Sequence, residues 1–144
     1  MQTIVERAKD LAHRAHAGQV DKAGRPYIEH VARVAAACAD DPEAEAVAWL
    51  HDVLEDAREY SRSVLSDFPA RVTFAAMRLD RTSCDYRAYY ESIRGDPIAL
   101  RVKLADIADN ADESRLALLD EKTAGRLRRK YAKALAALAD NALS

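Results

Sequence analysis

Two short segments set charged and metal-binding side chains inside apolar, helix-forming sequence: Leu50-His51-Asp52-Val53-Leu54-Glu55-Asp56 and Lys103-Leu104-Ala105-Asp106. An uncompensated charge on a packing face is costly, so such groups are normally paired or bound to a cation. A third segment, Pro26-Tyr27-Ile28-Glu29-His30, puts another histidine at the start of a helical stretch. Together they predict one divalent-metal centre built from several helices, of the kind that activates water. The donor set His30, His51, Asp52 and Asp106 mixes imidazole with carboxylate and has no thiolate. That favours manganese, iron or another borderline-to-hard divalent ion over a structural zinc.

On a helix, residues three and four apart share a face. His51 and Glu55 are four apart, as are Asp52 and Asp56, and Asp52 and Glu55 are three apart. One helix end can thus offer an imidazole and a carboxylate to a metal, with Glu55 and Asp56 one turn further on. Those two acids could take the proton from an attacking water or orient it. Asp106 and Asn110 repeat the spacing, so a metal-binding carboxylate is followed by an uncharged hydrogen-bonding group. Blander readings exist for each residue. A single histidine on an apolar stripe is usually a hydrogen-bonded core residue. Glu55-Asp56 could be a solvated helix end, although acids at a C-terminus oppose the helix dipole. Asp106 could pair with Lys103 one turn back, and Asn110 could be a cap. His13 and His16 read as structural or loop-anchoring groups.

The elements that must position these groups are helical. Only 4 glycines and 4 prolines occur, alanine is abundant, and no segment alternates with period two, so the chain reads as all-α, with about seven to eight helices. Thr3 and Glu6 have capping-box spacing and open a helix to about Ala17. Gly18, Gly24 and Pro26 bracket a polar loop, and Pro26 suits a first helical position. Asp41-Pro42 starts a helix whose spacing runs through His51 to about Glu55. Shorter helices are expected near 61–67, 70–79 and 85–94, then one from Pro97 to about Ser114. The last, from about Glu121 to Asn141, carries Leu127, Tyr131, Leu135 and Leu138 on one side. That stripe fits either a core-closing helix or the interface of a homo-oligomer.

The chain has 144 residues, which suits one domain spanning 1–144. A chain of this size buries roughly 70% of its unfolded surface, enough for a core without staples. Lysine plus arginine is 22 against 24 acids, giving a net charge of −2, so duplex nucleic acid is not an expected partner. A local basic patch for a small phosphorylated ligand remains compatible with that balance. Cys38 and Cys84 have no paired spacing, which argues against a disulfide framework and for a reducing, cytoplasmic compartment. There is no apolar run to span a membrane, and the N-terminus lacks the apolar core of a signal peptide.

Four ordered motifs resemble a known family: Ala15-His16-Ala17-Gly18-Gln19, then Gly24-Arg25-Pro26-Tyr27-Ile28-Glu29-His30, then Leu50 to Asp56, then Val102-Lys103-Leu104-Ala105-Asp106 with Asn110. They are similar to the HD-superfamily hydrolase domain of RelA/SpoT-type alarmone enzymes. The nearer likeness is to stand-alone small alarmone hydrolases such as the metazoan SpoT homologue. The resemblance implies an all-helical HD fold and a manganese ion held by His30, His51, Asp52 and Asp106. It implies Glu55 and Asp56 as the catalytic acidic pair, Asn110 as a nucleotide contact and Lys22 as a basic loop position. The implied reaction removes pyrophosphate from the 3′ position of guanosine tetra- or pentaphosphate. The family's synthetase and regulatory domains find no space in this length.

Departures from that pattern predict an intact metal centre with an altered phosphate- and guanine-reading pocket. Asp21 stands where arginine is usual, Ile107 where an arginine usually follows the metal-binding aspartate, and Val31 where proline is common after His30; Asp109 and Asp112 add negative charge. Asp21 is expected to repel a polyphosphate, so an arginine at 21 should improve turnover of the alarmone. Lys22, Arg25, Arg101 and Lys103 are the basic residues expected near the pocket. The competing functions are a phosphatase for another nucleotide or a nicotinamide dinucleotide phosphate, a binding module without turnover, and a helical scaffold with packed histidines.

Overall fold

The computed structural model describes residues 1–82 and 85–139. The helices are α1 (Ile4–Ala15), α2 (Tyr27–Ala37), α3 (Pro42–Leu50), α4 (Val53–Asp56), α5 (Ser61–Ser66), α6 (Ala70–Arg78), α7 (Tyr86–Arg94), α8 (Pro97–Asn110), α9 (Glu113–Leu116) and α10 (Glu121–Ala139). A 3₁₀ turn at Arg58–Tyr60 links α4 to α5. The described residues form no strand, so the all-α expectation holds. Cys84 and the expected helix end at Asn141 lie outside the described residues, and Cys38 is a free, buried thiol.

The caps read from sequence are made. The Thr3 hydroxyl accepts from the Glu6 amide at 3.1 Å while Glu6 accepts from the Thr3 amide at 2.8 Å, both arms of a capping box. Asp41 and Asp96 cap α3 and α8, each followed by a proline at the first helical position.

Helix α3 is the central rod. Its residues Ala44, Ala46, Val47, Ala48, Trp49 and Leu50 are all buried, as a helix enclosed on every side requires. It packs against α1, α2, α6 and α8. Ile93 of α7 and Ile107 of α8 complete this core. Leu116, Ala124 and Leu127 form a second, small cluster between α9 and α10.

Three boundaries differ from expectation. Pro26 caps α2 from outside and pairs with Val20 in an isolated antiparallel bridge, closing the loop between α1 and α2. Gly18 and Gly24 adopt φ of +80° and +83° there, which a side chain would strain. Helix α8 stops at Asn110, because Asp112 caps the short α9 instead. Most important, the helix from Asp41 does not run through His51 to Glu55. It ends at Leu50, and Asp52, at φ −111° and ψ 0°, leaves the helical conformation. The His51 ring meets the Ala48 carbonyl through Nδ1 at 2.6 Å, so a side chain takes up a carbonyl that a continuing helix would give to the backbone. No described helix is long and apolar enough to cross a membrane.

Candidate metal centre

The break at His51-Asp52 is what lets neighbours in sequence serve one point. Successive residues on an unbroken helix project about 100° apart. Here His51, at the end of α3, and Asp52, at the start of α4, both meet His30 from α2 and Asp106 from α8. One ligand atom from each of these four residues lies within 4.8 Å of every other. The Nε2 atoms of His30 and His51 lie 2.9 and 3.3 Å from Oδ1 of Asp106, and His51 Nε2 lies 3.1 Å from Oδ2 of Asp52. His30, His51 and Asp106 are buried.

Each imidazole is aimed from behind. Nδ1 of His51 meets the Ala48 carbonyl, and Nδ1 of His30 lies 2.7 Å from Oδ2 of Asp109. Both partners only accept, so Nδ1 carries the proton and Nε2 faces the centre, the usual arrangement behind a metal-ligating histidine. Tyr27 donates its hydroxyl to Asp52. Asn110 donates to Asp106 at 3.0 Å and Lys103 lies 3.1 Å from its other oxygen. The Lys103–Asp106 ion pair expected from sequence is therefore present, and it coexists with the cluster rather than replacing it.

The electrostatics follow from crowding acids and imidazoles in low dielectric. Burial alone would lower the pKa of His51, but the Asp52 and Asp106 carboxylates outweigh it and raise it well above the ordinary value. His30 is raised in the same way, burial being outweighed by Asp106 and Asp109. Burial would raise Asp52, yet His51 brings it down to about 2, and Asp106 is lowered well below the ordinary range against the same penalty. These carboxylates favour protons on the histidines, and a bound cation would compete with those protons. Two imidazoles, two ionised carboxylates and no thiolate are a donor set that a hard or borderline divalent ion satisfies.

A cleft of about 480 Å³ opens beside the cluster. Glu55 and Asp56 stand on it, and each is tied down. Glu55 accepts from the Arg81 amide at 3.0 Å; Asp56 accepts from Gln19 at 3.2 Å, and Gln19 in turn meets Nδ1 of buried His16 at 2.8 Å. Partial burial and, after it, the Asp52 charge raise the pKa of Asp56. Lys22 and Asn110 also line the cleft. His13 takes no part: it packs on Trp49 with ring centroids 5.5 Å apart.

The basic residues sort themselves differently from the sequence expectation. Lys22, Arg25 and Lys103 line the cleft, but Arg101 pairs with Asp40 and reaches the Ala37 carbonyl away from it. Arg33, Arg81, Arg115 and Lys130 line it as well. Asp21 is no bare repulsive charge. One oxygen accepts from the amides of Ala23 and Arg25 at 2.9 and 3.0 Å, and the other faces Arg115 at 3.0 Å. Asp109 pairs with Arg33 and Arg115, and Asp112 is a helix cap. Sequence reasoning missed Tyr27, Asp109, Gln19 and Arg115. Tyr27 and Asp109 each sit three positions from a ligand, a signal that could have found them; Arg115 has no such mark.

No family model matches the chain. Several curated proteins are similar to it, three of them as follows. A GTP pyrophosphokinase of Streptomyces coelicolor is 34% identical over 119 residues, covering 74% of this chain and 14% of that protein. A probable GTP pyrophosphokinase of Mycobacterium leprae is 34% identical over 140 residues, 88% of this chain and 18% of that protein. A guanosine-3′,5′-bis(diphosphate) 3′-pyrophosphohydrolase of Haemophilus influenzae is 33% identical over 117 residues, 73% of this chain and 17% of that protein. The chain thus spans less than a fifth of the length of these relatives. Over that segment it is similar to proteins named GTP pyrophosphokinase and guanosine-3′,5′-bis(diphosphate) 3′-pyrophosphohydrolase.

Proposed function

We propose that the chain is a metal-dependent phosphohydrolase of the HD type that removes pyrophosphate from the 3′ position of guanosine tetra- or pentaphosphate. The observation that carries this reading is the convergence of His30, His51, Asp52 and Asp106 within 4.8 Å at the edge of a cleft that also holds Glu55 and Asp56. His30, His51, Asp52 and Asp106 would hold the ion, with manganese the choice that this donor set and the family likeness favour. Bound there, such an ion would supply Lewis acidity toward water and a phosphoryl oxygen.

The remaining chemistry belongs to the chain. Asp56, whose affinity for a proton is raised, accepts the proton of the attacking water. Glu55, anchored by the Arg81 amide, orients that water. Lys22 and Asn110 contact the nucleotide phosphates or base. Among the relatives' names, both pyrophosphokinase and pyrophosphohydrolase occur. The metal donor set beside two acids supports the hydrolytic activity here.

The test incubates the purified chain with manganese and guanosine 3′,5′-bis(diphosphate) and measures pyrophosphate release. Turnover that disappears in the double variant Glu55→Gln, Asp56→Asn, with manganese still bound, is the expected result. Nucleotide binding without turnover in the unaltered chain would overturn the reading in favour of a binding module.

A further inference from the structure

Among the described residues, Arg115 is the one side chain hydrogen-bonded to the cleft loop, the C-terminus of α8 and the histidine-orienting acid together. Its Nη2 lies 3.0 Å from Oδ2 of Asp21; its Nη1 lies 2.9 Å from Oδ2 of Asp109, 3.2 Å from the Asp109 carbonyl and 3.2 Å from Oδ1 of Asn110. The same Nη1 is 3.4 Å from Nδ1 of His30. The planar fork of a guanidinium can hold two carboxylates in fixed directions, as an ammonium cannot.

Each contact has a separate consequence. Oδ2 of Asp109 is shared between His30 and Arg115, while its Oδ1 is held by Arg33 at 2.7 Å. The carboxylate is pinned through both oxygens, and the ring it aims is pinned with it. The Asp109 carbonyl, in the last turn of α8, accepts from the Asp112 amide at 3.3 Å, and Arg115 gives it a second, charged donor at 3.2 Å. Asn110, held by Arg115 at one end of its amide, presents the other end to Asp106. Asp21 organises the turn that carries Lys22, through the Ala23 and Arg25 amides. The acidic residues at 21 and 109, unexpected beside a phosphate site, are therefore two arms of one ion network centred on position 115.

We propose that Arg115 is a positioning residue that sets His30 for the metal through Asp109 and, through Asp21, fixes the Lys22 loop against the cleft. This rests on the metal reading above and adds a residue that couples the two halves of the site. Arg115 approaches His30 at Nδ1, on the side of the ring away from the centre, and not at the Nε2 that faces it, so it acts on the cluster from behind.

The experiment uses the full chain, manganese alone as probe, and two readouts: manganese affinity by electron paramagnetic resonance titration, and amide hydrogen exchange of residues 19–27. Arg115→Gln is expected to weaken manganese binding by about 10-fold, in the range found for outer groups behind a metal ligand, and to speed exchange in the loop. Asp109→Asn should reproduce the loss of affinity without the loop effect, and Asp21→Asn the loop effect without the loss of affinity. Arg115→Lys, which retains the charge and is the safer variant for folding, should fall between the two. Affinity and loop exchange both unchanged in folded Arg115→Lys and Arg115→Gln, with only the melting temperature lowered, would overturn the assignment and leave the metal reading standing. An unaltered chain that takes up no manganese would overturn the metal reading itself, and this assignment with it.

Discussion

Asp21 sits 3.0 Å from the Arg115 guanidinium, its charge matched by a residue 94 positions away. Its other oxygen closes a turn by accepting two backbone amides. An arginine at position 21 would remove three hydrogen bonds and set two guanidinium groups together. The expectation from sequence, that Asp21→Arg improves alarmone turnover, is therefore reversed. The variant should lose about 1–3 kcal/mol of stability, the scale for hydrogen bonds to a charged group, and its KM should rise. Denaturant melts and steady-state kinetics check both; a lower KM would show that Asp21 does act as a barrier to phosphate.

Manganese affinity should depend steeply on pH. The folded-state pKa values of His30 and His51 lie above the ordinary 6.5, so protons compete for the ring nitrogens across neutral pH. Binding should strengthen as pH rises from about 6 through those raised values, with protons released on binding, and level off above them. Calorimetry in buffers of different ionisation enthalpy measures the proton count. His51→Ala should weaken binding by ~100-fold or more and remove part of that proton release, since a ligand itself is lost. Affinity flat from pH 6 to 9 would contradict the assignment of these two rings as ligands.

The ligands were legible because polar groups in apolar helical sequence demand partners. His51 and Asp106 sit in runs where Leu50, Val53, Val102 and Ile107 are buried core. The helix break was not legible. Leu50 to Leu54 continues the apolar spacing, and the interruption is imposed by the His51 side chain taking the Ala48 carbonyl and by the need to turn Asp52 toward α2 and α8. The i, i+4 pairing of His51 with Glu55 was accordingly the wrong geometric reason for a grouping that does occur. Asp21 and Asp109 looked like misplaced charge because their shared partner, Arg115, is far from one of them in sequence and lies in a short helix with no motif.

Acid stability should report Asp109. Burial would raise its pKa, but the hydrogen bonds from His30 and Arg33 bring it down to about 2, below the ordinary 3.8. A carboxyl depressed on folding contributes stability that is complete above the unfolded value and disappears as pH falls through the folded one. The unaltered chain should therefore lose roughly 1–3 kcal/mol from this group between about pH 4 and pH 2. Asp109→Asn should be less stable than the unaltered chain at pH 6 and show a shallower loss over that acid interval. Urea melts at fixed pH steps measure the two slopes; parallel slopes would remove Asp109 from the account.

The α10 wall of the cleft should set affinity for an anionic substrate. Lys130 has no carboxylate within ion-pair distance among the described residues, whereas Lys103 and Arg33 each have one and Arg115 has two. Partial burial first, then Arg81, Lys103, Lys22 and Arg126, lower its pKa, which is what burial among like charges from several elements around the cleft produces. A phosphate group entering the cleft relieves that repulsion, and the gain is screened by salt. Lys130→Glu should raise KM for guanosine 3′,5′-bis(diphosphate) by about 10-fold, equivalent to about 1.4 kcal/mol, with a smaller change in kcat because Lys130 belongs to neither the ligand set nor the acidic pair. The KM of the variant should also respond less to added salt. Kinetics at low and high ionic strength separate this from a folding defect, which would lower the active fraction and leave KM where it was.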